Sequence, residues 1–137
     1  MTQEDKDLLL KDLCARLPYG VKVNADYINF NRDGKLFSIN NNEELILSPE
    51  NGYSFDVAIE KCKPYLFPLS SMTEEQKDYI RNRFCYDWDG EPYEIWRYKI
   101  DIEDAENLVD LFNKNHLDYR CLIPKGLAND ATGLNIY

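Results

Sequence analysis

The hydrophobic positions near the start of the chain recur at three- and four-residue intervals, which is typical of one face of an α-helix. These positions are Leu9, Leu10, Leu13, Cys14 and Leu17. Thr2 offers an N-cap hydroxyl and Asp5 an early-turn carboxylate for the free amides of a helix start. Pro18 and Gly20 then interrupt the pattern, because proline lacks an amide hydrogen and glycine relaxes the backbone. We predict a first helix over residues 2–17.

From Val21 onward the pattern changes to short runs rich in β-branched and aromatic residues, which are typical of strands. The runs cover residues 21–23, 27–30, 36–39, 45–47 and 53–59. In the last run Phe55, Val57 and Ile59 alternate with polar residues and should face the core. Residues 31–34 and 40–42 are rich in Asn, Asp and Gly, which tolerate the positive φ of tight turns. Links this short predict an antiparallel meander over residues 21–60.

Two further helical patterns follow a proline-containing connector at residues 63–71. Thr73 and Gln76 form a capping-box pattern, which predicts a helix over residues 73–85. A second apolar stripe predicts a helix over residues 102–115. The stripe consists of Ile102, Ala105, Leu108, Val109 and Phe112. Between the two helices a strand is expected after Pro92, and the chain beyond Tyr119 is expected to be extended or irregular.

The predicted elements indicate a single α+β domain over residues 1–137. Its antiparallel sheet has about five short strands, could curl into a small, partly open barrel, and packs with about three helices. The oligomeric state does not follow from the pattern.

The formal net charge of −9 repels phosphate backbones, whereas nucleic-acid readers usually carry a basic surface. Direct binding of nucleic acid is therefore disfavoured. Clustered carboxylates could instead imitate a phosphate array and occupy a nucleic-acid-binding protein, so an acidic nucleic-acid mimic stays open as an alternative.

The start of the chain is acidic and lacks the basic and apolar regions of a secretory signal, so we expect a cytoplasmic protein. Its apolar runs are too short to span a membrane. The four cysteines form no Cys-x-x-Cys pair, and we expect free, mostly buried thiols. They are Cys14, Cys62, Cys85 and Cys121.

No metal site or cofactor is expected from the sequence. Neither Gly34 nor Gly90 fits the glycine at position 6 of a twelve-residue calcium-binding loop. Position 12 needs a bidentate glutamate, but the first alignment places Asn40 there and the second places Trp96 there. The acidic residues around Gly90 are interpreted as a solvated turn. Glycine motifs for phosphate or dinucleotide binding do not occur.

The densest cluster of reactive groups contains the single histidine of the chain. His116, Asp118, Tyr119 and Arg120 place an imidazole, a carboxylate, a phenol and a guanidinium within five residues. An exposed imidazole with a pKa of about 6.5 could act as a base, which would make the chain a small hydrolase or transferase. The alternative is structural, since His116 also fits a residue that satisfies carbonyls at the end of a helix.

Aromatic and acidic residues are concentrated between residues 84 and 100. Trp88, Tyr93 and Trp96 are candidates for a partner-binding surface, because Trp and Tyr dominate binding hot spots. The alternative is that these rings belong to the core.

Residues 63–76 and 111–128 resemble segments of an uncharacterised family of small proteins from gut anaerobic bacteria and their phages or mobile elements. The first segment reads Lys-Pro-Tyr-Leu-Phe-Pro-Leu-Ser-Ser-Met-Thr-Glu-Glu-Gln, and the second contains Asn-Lys-Asn-His-Leu-Asp-Tyr-Arg-Cys-Leu. The resemblance implies an intracellular accessory protein, with phage derivation as one origin, rather than a metabolic enzyme. It implies no cofactor and no catalytic residue.

We therefore expect a non-enzymatic module that binds another protein. The alternatives are a small hydrolase or transferase organised around His116 and an acidic nucleic-acid mimic.

Overall fold

The computed structural model describes residues 1–28, 30–83 and 102–137. This part of the chain forms three α-helices and a mixed seven-stranded sheet, and the protein is α+β as the sequence predicts. The helices are α1 (Gln3–Arg16), α2 (Glu74–Arg83) and α3 (Ile102–Lys114). The strands are β1 (Lys22–Tyr27), β2 (Phe30–Ile39), β3 (Glu44–Ser48), β4 (Phe55–Ala58), β5 (Cys62–Pro68), β6 (Leu117–Asp118) and β7 (Asn129–Asp130).

The predicted helix starts are confirmed by their caps. The Asp5 amide donates to Thr2 Oγ1 over 3.0 Å, and the Thr2 amide donates back to the Asp5 carboxylate over 3.3 Å. The same reciprocal arrangement joins Thr73 and Gln76 at the start of α2. At its other end α1 passes into a 3₁₀ turn that ends at Gly20, whose φ of +68° is left-handed. The predicted end of the second helix and the strand after Pro92 lie outside the described residues.

Strands β1 to β4 form the predicted antiparallel meander. The spatial order is β4-β3-β2-β1-β5-β6, with β7 also paired to β5, so the sheet is open and not a closed barrel. The two short strands β6 and β7 run parallel to β5, which makes the sheet mixed rather than purely antiparallel. In β4 the expected alternation is confirmed, because Phe55 and Val57 are buried while Asp56 is exposed.

The turn predicted at residues 31–34 is wrong, because these residues lie inside β2 and pair with β1. Tyr27 pairs with Phe30, so the predicted strand over residues 27–30 is instead where the chain reverses. Gly34 is needed for the close approach of β2 to Leu47 rather than for a turn. A Cβ atom at this position would lie 2.8 Å from the Leu47 Cβ, too close for any other residue without a shift.

The connector predicted at residues 63–71 is also wrong, because most of it is the strand β5. Pro64 and Pro68 cannot donate to a strand ladder, which made a strand improbable from the sequence. In the structure β5 pairs with β1 only over Cys62–Pro64, and the rest of β5 pairs with the short strands β6 and β7.

Within the described residues, two hydrophobic clusters form the core. The larger one lies between α1 and the inner face of the sheet, and it includes Leu9, Leu13 and Val23. The smaller one joins α2 and α3 to the end of β5 and to β6, with Ile80, Phe112 and Leu117 among its members.

Cys14, Cys62 and Cys121 are free thiols, as predicted, and Cys85 lies outside the described residues. The predicted burial is confirmed for Cys62 and is wrong for Cys14 and Cys121, which are exposed. Cys14 follows the buried Leu13 on α1 and falls outside the face that meets the sheet. Burial raises the pKa of the Cys62 thiol to about 12. No helix within the described residues is long and apolar enough to cross a membrane.

Candidate functional site

His116 lies at the junction between α3 and β6. Its φ of +57° is left-handed, and its amide donates to the Asn113 carbonyl over 3.2 Å, which closes the end of the helix. Its carbonyl accepts from the Phe67 amide of β5 over 2.8 Å. The backbone of His116 therefore fastens the end of α3 to the sheet.

The imidazole of His116 stacks on the ring of Tyr137, with the ring centroids 3.8 Å apart and the planes inclined by 11°. Its Nδ1 atom is buried and has no hydrogen-bond partner among the residues that the structure describes. Burial, together with the positive charge of Arg16, lowers the pKa of His116 to about 4. The ring is consequently neutral at neutral pH.

Asp118 is held by the backbone rather than by His116. One carboxylate oxygen accepts from the Leu122 amide over 2.8 Å and the other accepts from the Ile123 amide over 2.9 Å. Both oxygens of this buried group are thus engaged in stabilising the turn that follows β6. Asp118 does not orient the imidazole.

Tyr119 is a core residue with two guanidinium groups against its ring. The ring stacks on Phe112 at 5.5 Å, and the guanidinium carbons of Arg120 and Arg16 lie 4.7 and 5.3 Å from its centroid. Burial raises the pKa of the Tyr119 phenol. The four predicted site residues are therefore neighbours in sequence that make different contacts, and the structure does not assemble them as a nucleophile, a base and an orienting group.

The sequence missed a buried ion pair beside this cluster. Arg16 Nε donates to Asp12 Oδ2 over 2.8 Å, and Arg16 Nη2 donates to the Leu117 carbonyl over 2.7 Å. Both side chains are completely buried. Arg120 Nη1 approaches Asp12 Oδ1 at 3.7 Å. Burial raises the pKa of the Asp12 carboxyl, and the positive charges of Arg16 and Arg120 oppose that shift.

A signal for this ion pair was present in the sequence. Asp12 and Arg16 are four residues apart, and they fall on the same face of α1 as the buried Leu9 and Leu13. An opposite-charge pair at this spacing on an apolar face predicts a buried ion pair, whereas on a polar face it predicts an exposed one.

An open groove runs between α2 and α3 and continues to the His116–Tyr137 stack. We call its central part the α2–α3 groove. This part has a volume of about 320 Å³ and is lined by Met72, Glu75, Gln76, Tyr79, Ile80, Leu111, Asn115 and Leu117. A second depression of about 350 Å³ shares Gln76, Asn115 and Leu117 with it and reaches His116 and Tyr137.

Trp88, Tyr93 and Trp96 lie outside the described residues, so their role in binding stays a prediction. Among the described residues, no group of three or more His, Cys, Asp or Glu side chains is arranged to hold a metal ion. No family model, curated protein or solved structure matches this chain. The resemblance to a family from gut bacteria and phages therefore stays a prediction as well.

The stability of the protein should depend on pH through His116. Its pKa is about 4 in the folded chain against an ordinary 6.5, so the unfolded state binds more protons between these values. Stability is therefore lost as the pH falls through this window. After allowance for the half-buried position, we expect the wild type to lose about 1 kcal/mol more between pH 7 and pH 5 than His116→Gln, which cannot titrate.

Urea unfolding of both proteins at the two pH values measures this difference. Asp12, whose raised pKa acts in the opposite direction, is present in both proteins and cancels in the comparison. The same pH dependence in wild type and variant would show that burial of His116 does not perturb its titration.

Proposed function

We propose that the chain is a non-enzymatic protein-interaction module whose α2–α3 groove binds an apolar segment of another protein, flanked by basic residues. The observation that carries the proposal is the groove itself, which has an apolar floor, a polar rim and an opening to the surface.

The groove has the composition of a protein-binding site. Ile80 and Leu117 form a buried apolar floor, and the ring of Tyr79, which is 55% exposed, stands beside it. Glu75 and Asn115 lie at the rim. An apolar centre with a polar rim is the usual anatomy of an interface, and tyrosine is among the residues that contribute most to binding.

The charge on the two helices favours a basic partner. Helix α2 carries three acidic and three basic residues, and α3 carries four acidic residues and one basic residue. The whole chain has a net charge of −9. A negative field speeds the encounter with a positively charged segment and repels an acidic one.

The walls of the groove are held by contacts within the chain. Helix α2 is capped by Thr73 and Gln76, and the Asn115 side chain donates to the Leu111 carbonyl over 2.8 Å in the last turn of α3. Both helices are anchored by the smaller hydrophobic cluster. A groove that keeps its shape loses less conformational entropy on binding.

The contacts of the predicted catalytic cluster give less support to a hydrolase or transferase. The carboxylate of Asp118 is engaged by two backbone amides, and His116 has a pKa far below neutral. A base of such low pKa accepts a proton poorly at neutral pH.

Selection from a random-peptide display library tests the proposal. Peptides enriched on the wild type should carry apolar residues at helical or alternating spacing together with flanking Lys or Arg. An enriched synthetic peptide should bind Tyr79→Ser at least about tenfold more weakly, because truncation of a hot-spot tyrosine costs about 2 kcal/mol or more. Tyr53→Ser is the matched control, since Tyr53 is 93% exposed in the connection between β3 and β4. It should change the affinity less than twofold.

Three outcomes would count against the proposal. Enriched peptides could be acidic or lack apolar residues, or they could bind Tyr79→Ser as tightly as the wild type. Concentration-dependent dimerisation that Tyr79→Ser abolishes would assign the groove to a second copy of this chain.

A further inference from the structure

The ring of Tyr137, which is 44% exposed, lies in an open slot lined by two aromatic groups that are distant in sequence. The imidazole of His116 covers one face at 3.8 Å, and the ring of Phe67 lies at 5.9 Å, inclined by 52°. The tilted Phe67 ring lies in the range at which aromatic pairs attract each other, and the His116 ring is in closer, nearly parallel contact. The slot therefore recognises a flat ring.

The end of the slot recognises the phenolic hydroxyl with one donor and one acceptor. The Lys22 amide donates to the Tyr137 hydroxyl over 2.9 Å, and the hydroxyl donates to the Tyr65 carbonyl over 2.8 Å. The pairing of β1 with β5 begins at Val23 and Pro64, so Lys22 and Tyr65 would form the next pair of the ladder. The hydroxyl is inserted at the point where the two strands separate and bridges them.

The backbone that forms the slot is held in place without Tyr137. The backbone of His116 is fixed by hydrogen bonds to Asn113 and Phe67. Lys22 belongs to β1, and Tyr65 belongs to β5 and pairs with β7. The donor, the acceptor and the backbone that carries the imidazole are fixed by other parts of the fold, which preorganises the polar end of the site.

The segment that brings Tyr137 to the slot is only weakly attached. Residues 132–135 are exposed and form no helix or strand. Gly133 and Asn135 both have left-handed backbones, with φ values of +77° and +51°. Apart from Tyr137 itself, a hydrogen bond from Lys22 Nζ to the Ile136 carbonyl holds this end of the segment to the sheet.

We propose that this slot is a binding site for a tyrosine side chain, which Tyr137 occupies within its own chain and from which a tyrosine of a bound peptide can displace it. The para-substituted phenol is the ligand class, because the ring faces, the donor and the acceptor match its ring and its hydroxyl. The inference does not depend on what binds in the α2–α3 groove.

The test uses the full chain and its Tyr137→Ala variant, titrated with N-acetyl-tyrosinamide and with N-acetyl-phenylalaninamide. Binding is followed through the NMR signals of the Lys22 amide and the His116 imidazole. The variant should bind the tyrosine derivative at least about tenfold more tightly than the phenylalanine derivative, which lacks both hydrogen bonds. The wild type should bind it at least about tenfold more weakly than the variant, because Tyr137 competes at high effective concentration.

Absence of saturable binding to a folded Tyr137→Ala variant, or equal affinity for the two derivatives, would overturn the proposal. The Tyr137→Phe variant covers the case in which Tyr137→Ala does not fold. It keeps the ring and loses both hydrogen bonds, so N-acetyl-tyrosinamide should displace its side chain at about tenfold lower concentration than in the wild type. Displacement at the same concentration in Tyr137→Phe and in the wild type would contradict the proposed tyrosine-binding site.

Discussion

Replacing Arg16 with methionine is expected to lower the free energy of unfolding by about 3–5 kcal/mol. The substitution keeps an apolar side chain of similar length but leaves the buried Asp12 without its main partner. It also removes the hydrogen bond that the Leu117 carbonyl accepts. Desolvation of an unpaired carboxylate in the core is the larger part of this cost.

Urea unfolding of three proteins measures the effect: wild type, Arg16→Met, and the double variant with Asp12→Leu added. The double variant should recover at least about half of the lost stability, because a buried ion pair replaced by apolar residues is often close to neutral. Arg120 loses its contact with Asp12 in this variant, and because its Nη1 atom is buried we expect the recovery to be incomplete. A loss below about 1 kcal/mol in the single variant would mean that the pair is solvated rather than buried.

Replacing Asp118 with alanine is expected to cost about 2–4 kcal/mol of stability. The amides of Leu122 and Ile123 would both lose their acceptor, and Leu122 is completely buried. A buried donor without a partner costs more than the hydrogen bond itself contributes. Asp118→Asn should be nearly as damaging, because the side-chain NH₂ group of asparagine would face one of the two backbone N–H donors.

Asp130→Ala is the matched control for this second prediction. Asp130 also accepts from a backbone amide, that of Thr132 over 2.9 Å, but at an exposed position where water can replace it. The control should change the stability by less than about 0.5 kcal/mol in the same urea experiment. Equal effects at Asp118 and Asp130 would show that the turn after β6 gains nothing from its buried carboxylate.

The sequence predicted the parts of the fold that depend on local chemistry. The helix starts at Thr2 and Thr73 follow from side chains that reach only three residues along the chain. The alternation around Phe55 follows from the two-residue period of a strand that is buried on one face. Such features need no knowledge of distant contacts.

The wrong predictions concern residues whose state is decided by distant parts of the chain. Gly34 resembles a turn residue, but glycine is needed there because the side chain of Leu47 in β3 leaves no room for a Cβ atom. Pro64 resembles a connector residue, but β5 finds partners in residues 117–118 and 129–130, more than forty positions later. Parallel pairing over such separations leaves no periodic mark in the sequence.

The candidate site shows the same division. The single histidine directed attention to a junction that the structure does form, at the end of α3. Its contact with Tyr137 and the burial of Arg16 depend on tertiary packing and could not be read from neighbouring residues. The α2–α3 groove likewise exists only once two helices pack on the smaller hydrophobic cluster.

The most direct test of the proposed function is an NMR titration of the isotope-labelled wild type with the tightest peptide from the display selection. We expect the largest shift changes to map to Tyr79, Leu111 and Asn115, with little change at the exposed Phe37 on the sheet. Shift changes confined to the sheet face around Phe37, with the α2–α3 groove unaffected, would contradict it.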